Sequence, residues 1–256
     1  MSLRVPLFFC CLLILFGCST ASAEPVALFD QGHGQAFLVE KNRPLDLSEL
    51  AGVFSEQGAL VRTSSEKISA TSLANVDILV ISGPFAPIED EEIESIIKFV
   101  EQGGRLAVMV HIGPPVIKLL LRLGVSISSA AVYEQNYIIS ENPLDFMVPD
   151  LSSYPLTSGL DAFNVFGSWA LLGTKDHVKT VARTSRDAWV DLNGNKILNE
   201  KDAKQSFALV VAGGIGQGQF AVFGDDAIFQ NRFLKGGNLL LGHNLARWFC
   251  SFPQLI

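Results

Sequence analysis

Between Val26 and Leu123, apolar runs of strand length alternate with amphipathic runs of helix length, and this alternation restricts the chain more than any other feature. Val26-Ala-Leu-Phe29, Ala59-Leu-Val-Arg-Thr63, Asp77-Ile-Leu-Val-Ile-Ser82 and Arg105-Leu-Ala-Val-Met-Val110 read as strands. The last two are apolar without alternation, as strands covered on both faces should be. Leu45 to Gln57 reads as a helix with Asp46 as its N-cap, with Leu47, Leu50, Val53 and Phe54 on one face and Gly58 closing it. Asp90 to Gln102 is the clearest helix. Glu89, Asp90, Glu91 and Glu92 suit the positive end of its dipole, and Ile93, Ile96, Ile97 and Val100 form its apolar stripe. A further helix opens at Pro114 or Pro115 and runs to about Leu123. Strands and helices joined by short links predict an α/β fold, doubly wound on a mainly parallel sheet.

From 125 to 184 the pattern weakens. Tyr133, Tyr137, Phe146, Tyr154, Phe163, Phe166 and Trp169 fall among turns and short strands, and the segment reads as a less regular insertion or cap. Order returns with Phe207–Ala212 and Gln219–Phe223, a hairpin around Gly213-Gly-Ile-Gly-Gln-Gly218, and with a closing helix from Gly237 to Phe249. The glycines of that hairpin do not form a dinucleotide fingerprint, because such a fingerprint must open a helix.

Residues 1–23 read as an export signal. Arg4 precedes an apolar run from Val5 to Phe16, too short to span a bilayer comfortably, and small residues follow from Gly17 to Ala23. Leu15-Phe16-Gly17-Cys18 resembles the bacterial lipobox, although Phe16 is bulkier than that motif normally allows; lipidation at Cys18 would tether the chain to a membrane. Ala21-Ser22-Ala23 gives the alternative, cleavage before Glu24 and a soluble periplasmic or secreted form. Either way Cys250 is the one cysteine free to pair, so residues 24–256 must fold as one α/β domain on their core, without disulfide staples. The chain has 19 Lys and Arg against 26 Asp and Glu, or −8 once Arg4 is removed, and no basic cluster, which argues against nucleic acid as a partner.

In an open parallel sheet, ligands bind at the carboxyl ends of the strands. Four such ends carry polar or Gly-rich loops: Asp30 with His33 and Gln35, Ser82-Gly83-Pro84, His111-Ile-Gly113, and Gly224-Asp225-Asp226. If these strands are neighbours, Asp30, His33, Gln35, His111, Asp225 and Asp226 share one rim. His111 stands at a strand–turn–helix junction where a nucleophile elbow would hold Ser or Cys. Imidazole seldom serves there and no Ser or Cys lies beside it, which argues against acyl transfer.

Phe29-Asp30-Gln31-Gly32-His33-Gly34-Gln35, Trp189-Val-Asp-Leu-Asn-Gly-Asn195, Phe223 through Asn231 and the closing helix with Asn238 and Asn244-Leu-Ala-Arg-Trp248 together resemble the bacterial envelope proteins with a class I glutamine amidotransferase-like domain. That group is related to accessory domains of gliding-type ABC transporters. The resemblance implies a flavodoxin-like sheet and no amidotransferase cysteine. It also implies transporter components or another envelope protein as partners, and it assigns no activity.

A second chemical candidate is Asp191-Leu-Asn-Gly-Asn-Lys-Ile-Leu-Asn-Glu-Lys-Asp202. Asp191, Asn193, Asn195, the Ile197 carbonyl, Asn199 and Asp202 stand at the ligand positions of an EF-hand-type loop, making Ca2+ the candidate cofactor. Lys196 replaces the turn glycine and Asp202 is shorter than the bidentate Glu; the alternative is a plain Asn-Gly turn. Three functional readings follow. The first is an exported, non-catalytic binding domain with its site on the rim. The second is a hydrolase in which Asp30, His33 and Asp225 bind a metal or act as acid and base. The third is an envelope subunit that uses the aromatic middle region as an interface.

Overall fold

The computed structural model describes residues 24–251. The export signal, Cys18 included, lies outside them. Four strands open the chain: β1 (Val26–Asp30), β2 (Leu60–Ser64), β3 (Ile78–Ser82) and β4 (Arg105–Met109). The expected insertion contributes β5 (Val125–Tyr133), β6 (Asp145–Val148), β7 (Asp150–Leu151), β8 (Phe163–Phe166), β9 (Trp169–Gly173) and β10 (Val178–Arg183). β11 (Trp189–Val190), β12 (Ala203–Lys204), β13 (Ala208–Ile215) and β14 (Gly218–Phe223) follow.

β2, β1, β3, β4 and β14 are neighbours in that order and all parallel. This is the flavodoxin-like order, with its switch point between β1 and β3. Buried side chains alternate between the two faces: Ile78 and Val80 of β3 enter one core, Leu79 and Ile81 the other. Helices cover both faces. α1 (Ser48–Glu56) and α4 (Gly237–Cys250) pack together on the first, α2 (Asp90–Glu101) and α3 (Ile117–Leu123) on the second. Neither core has a staple; Phe29, Phe54, Phe223 and Phe229 meet edge-to-face in two pairs in the first, and such large buried side chains supply most of the folding energy.

α1 begins at Ser48, and Asp46 does not cap it. Both oxygens of Asp46 are taken by the Arg43 guanidinium and by the backbone N–H groups of Leu38 and Arg43, so the carboxylate organises the preceding loop. A carboxylate two residues before a helix can serve either end of the bend, and here the arginine decides.

Segment 125–184 divides in two. β5, β9 and β10 extend the central sheet antiparallel beyond β14 and β13, while β6 and β8 form a separate hairpin-like pair over the rim. The aromatics of the segment are mostly satisfied inside the domain. Phe146 and Phe163 are core; Tyr133 stacks on Trp189, Tyr154 meets Trp248 and Phe166 stacks on Phe233. The β13–β14 connection is a tight hairpin turn at Gly216-Gln217. Among the described residues no helix is long and apolar enough to cross a membrane.

Candidate functional site

The parallel register aligns Ser82 with Met109 and Met109 with Phe223, so β3, β4 and β14 deliver their carboxyl ends to one rim. The six rim residues fall there into two separate clusters. At the switch point, His33 Nδ1 lies 2.7 Å from Asp30 Oδ2 and Nε2 lies 3.1 Å from Glu92 Oε1. Gln35 Nε2 donates to the same Asp30 oxygen at 2.5 Å, and its Oε1 accepts the His33 backbone N–H at 2.7 Å. Glu92, in the first turn of α2, also accepts the backbone N–H groups of Ile68 and Glu89. Burial disfavours charge on His33, but the Asp30 and Glu92 carboxylates outweigh it and raise its pKa. With 3 % exposure and both ring nitrogens engaged, His33 closes the switch point rather than presenting it.

The second cluster follows β4 and β14. His111 Nδ1 lies 3.0 Å from Asp226 Oδ1, while its Nε2 bonds no protein atom among the described residues, and the side chain is 35 % exposed. The Asp226 hydrogen bond raises the His111 pKa against the effect of burial. Asp225 points the other way, accepting the backbone N–H groups of Phe166 at 2.5 Å and Ala227 at 2.9 Å. Burial, and then the Asp226 charge, push the Asp225 carboxyl up to about 7. Asp226 is also raised by burial, and its Oδ2 has no hydrogen-bond partner.

Two glycines make this arrangement possible. At Gly224 a Cβ would stand 2.1 Å from the Trp169 carbonyl, so only glycine lets β9 close on β14 there. Gly83 has φ +55, and a Cβ would come 2.5 Å from Asp226 Oδ2.

Above His111, Asp225 and Asp226 opens a cleft of about 600 Å3. Phe37 and Leu45 wall one side; Ile139, Asp145 and Phe166, from the hairpin region, wall the other; Gln230, Arg232 and Phe233 close the end. Sequence reasoning missed Glu92, Gln230 and Arg232. Glu92 was visible only as a helix-start carboxylate, although an acid at the third helical position is a known capping signal. Gln230 and Arg232 follow the short turn Ala227–Phe229, where no periodicity marks a site.

Asp30 and His33 pair with each other, but Asp225 is held by the backbone N–H groups of Phe166 and Ala227, and no hydrogen bond joins it to them among the described residues. Among the described residues no three His, Cys, Asp or Glu side chains are grouped to hold a metal. The 191–202 loop, which lines none of the cleft, is closed by hydrogen bonds among its own residues. Asp191 accepts the N–H groups of Asn193, Gly194 and Lys196; Asp202 accepts from Leu192, Asn193 and Asn199; Asn199 donates to Asn195 Oδ1 and to the Ile197 carbonyl. Lys196, in the glycine position of the calcium motif, has φ +59.

A family model described as a domain of unknown function, DUF4350, matches residues 40–246. The chain belongs to the DUF4350 family. No curated protein matches it. Among solved structures, this DUF4350 chain is similar to the mmIFT52 N-terminal domain, at TM-score 0.71 and 18% identity over 90% of this chain and 100% of that one. It is also similar to ThuA-like proteins from Bacteroides uniformis (TM-score 0.50, 13% identity, 91% and 94% covered) and Parabacteroides merdae (0.52, 10%, 89% and 90%). These likenesses establish the flavodoxin-like, glutamine amidotransferase-like fold of the DUF4350 domain.

Proposed function

We propose that this protein is an exported, non-catalytic binding domain of the bacterial cell envelope that holds a ligand or partner segment in the rim cleft. One observation carries the reading. Gln230 is 3 % exposed, lines the cleft, and its side-chain amide makes no hydrogen bond among the described residues. The amide atoms are not among the fully buried unpartnered ones, so what exposure Gln230 keeps includes its amide, and a ligand in the cleft can take up hydrogen bonds that water would otherwise make. The strand–turn–helix position after β4, where a nucleophile elbow would hold Ser or Cys, is occupied by His111, which favours recognition over acyl transfer. Envelope localisation rests on residues 1–23, with Cys18 as the lipidation candidate, and service beside a gliding-type ABC transporter rests on the family resemblance alone.

An NMR screen of mixed metabolites and peptides, observed at the His111 ring and the Gln230 amide, tests the cleft. Binders that shift both groups support it; binders confined to other surfaces defeat it. Fractionation of cells expressing wild type and Cys18→Ala tests the tether: the wild type is expected in the membrane fraction and the variant in the soluble periplasm. A second reading has one observation in its favour. Asp226 holds Nδ1 of His111 and leaves Nε2 open to the cleft, the arrangement of a general base for a hydrolytic water. Loss of any measured hydrolysis in His111→Gln, with binding retained, would establish it.

A further inference from the structure

We infer that the cleft selects a carboxylate carrying an apolar arm; the inference rests on the binding reading above and assigns its ligand class. The carboxylate acceptors around the cleft are either bonded or, in the case of Asp226 Oδ2, buried without a partner. Asp145 accepts from Ser140 Oγ at 3.0 Å and Asn142 Nδ2 at 3.1 Å, Asp225 is held by two backbone N–H groups, and Asp226 is held by His111 with its other oxygen packed against Gly83. The donors are not committed. The Gln230 amide is free, and the Arg232 guanidinium pairs with no carboxylate among the described residues, lying instead 5.4 Å from the centroid of Phe233. Phe233 in turn stacks on Phe166 at 3.9 Å, which fixes the platform beneath the guanidinium. A surplus of donors, one of them a cationic fork, fits an oxygen-rich anion, and a planar fork fits a carboxylate. Apolar chemistry is supplied alongside. Phe37, Leu45 and Arg232 also border an adjoining groove of about 470 Å3 completed by Ala36, Arg43 and Pro44. A ligand anchored at Arg232 and Gln230 can therefore lay an apolar arm over Phe37 and Leu45.

Such a carboxylate could belong to a free organic acid or to the end of a peptide. The probes are hexanoate, the peptide acetyl-Ala-Ala-Phe with a free carboxylate, and the neutral amide of each, titrated into the mature chain and into Arg232→Gln. Arg232 is exposed, so the variant keeps the fold. Shifts at His111 and Gln230 report binding. At least one acid is expected to bind roughly tenfold or more tightly than its amide, the advantage of a charge-assisted pair, and Arg232→Gln should erase that difference. The tighter acid identifies the source. Equal binding of acid and amide, or a preference that survives Arg232→Gln, overturns the carboxylate assignment while leaving a binding cleft in place. Silence of both acids at millimolar concentration also overturns it, and the broader screen then decides whether the cleft binds anything.

Discussion

The rim holds two histidines, each with Nδ1 against an aspartate, at 2.7 Å for His33 and 3.0 Å for His111. The chemistry of the pairs is alike; their cover is not. At the β1–β3 switch point, Glu92 of α2 takes the second nitrogen of His33, Gln35 folds over Asp30, and solvent is excluded. At the β4–β14 ends, nothing among the described residues takes the second nitrogen of His111, and His111 lines the cleft. An Asp–His pair thus becomes a structural plug or an open site according to what the next element places on Nε2. The ligand position common in flavodoxin-like sheets is filled with side chains, and the open position has moved two strands along.

The largest test removes the plug. His33→Ala leaves Asp30 and Glu92 buried without the ring that both of them bond, and loss of one partner from a buried charged set costs about 3–5 kcal/mol. His111→Ala, at a half-open site, should cost about 1 kcal/mol, the worth of a typical hydrogen bond. Equal losses in urea unfolding would erase the distinction.

The pH dependence sharpens it. His33 binds its proton more tightly folded than unfolded, so its contribution is complete below pH 6.5 and disappears as pH rises through the raised folded value. Asp225 acts with the same sign in a lower window: its contribution is complete below pH 3.8 and is lost as pH rises to about 7. Melting temperature should therefore fall on going from pH 5 to pH 8, by roughly 2–4 °C for each kcal/mol lost. Asp225→Asn should remove the lower window only. A curve unchanged by Asp225→Asn would mean that Asp225 titrates near its ordinary value.

A gentler test is spectroscopic. On ligand addition the Nε2 of His111 should shift while both nitrogens of His33 stay fixed; movement of His33 would mean that the plug opens.

The smallest effect is expected at the 191–202 loop. Asp191→Ala removes the acceptor of three backbone N–H groups on an exposed loop and should lower the melting temperature least of these variants. Millimolar calcium should raise the melting temperature of the wild type and not of the variant, because a ligand of the native state alone stabilises it. No rise in the wild type would leave the loop a turn closed by its own hydrogen bonds.

Legibility followed the range of the interactions. β3, β4 and α2 could be read because their signals, an unbroken apolar run or a stripe with acids before it, lie within a dozen residues. The middle region hid its strands because register shifts interrupt the pairing between Ile127 and Ala131 and between Thr180 and Arg183, which breaks the period-two pattern. All six rim residues were visible as strand-end polar groups, but their division into two clusters was not. It depends on partners 59 residues apart for His33–Glu92 and 115 apart for His111–Asp226. Asp46 shows the same limit at short range, since a cap and a loop brace look identical until the arginine is placed.

The dipeptide Asp225-Asp226 has a mechanical consequence. One carboxylate grips the N–H of Phe166 in the cleft wall, and its neighbour grips His111 in the floor. Wall and floor are thereby riveted through adjacent residues of one strand end, and Gly224 beside them admits no side chain that could spread the joint. The gauge of the opening is set by the backbone, so the size of what passes the lip turns on the side chains of Phe37, Leu45 and Ile139.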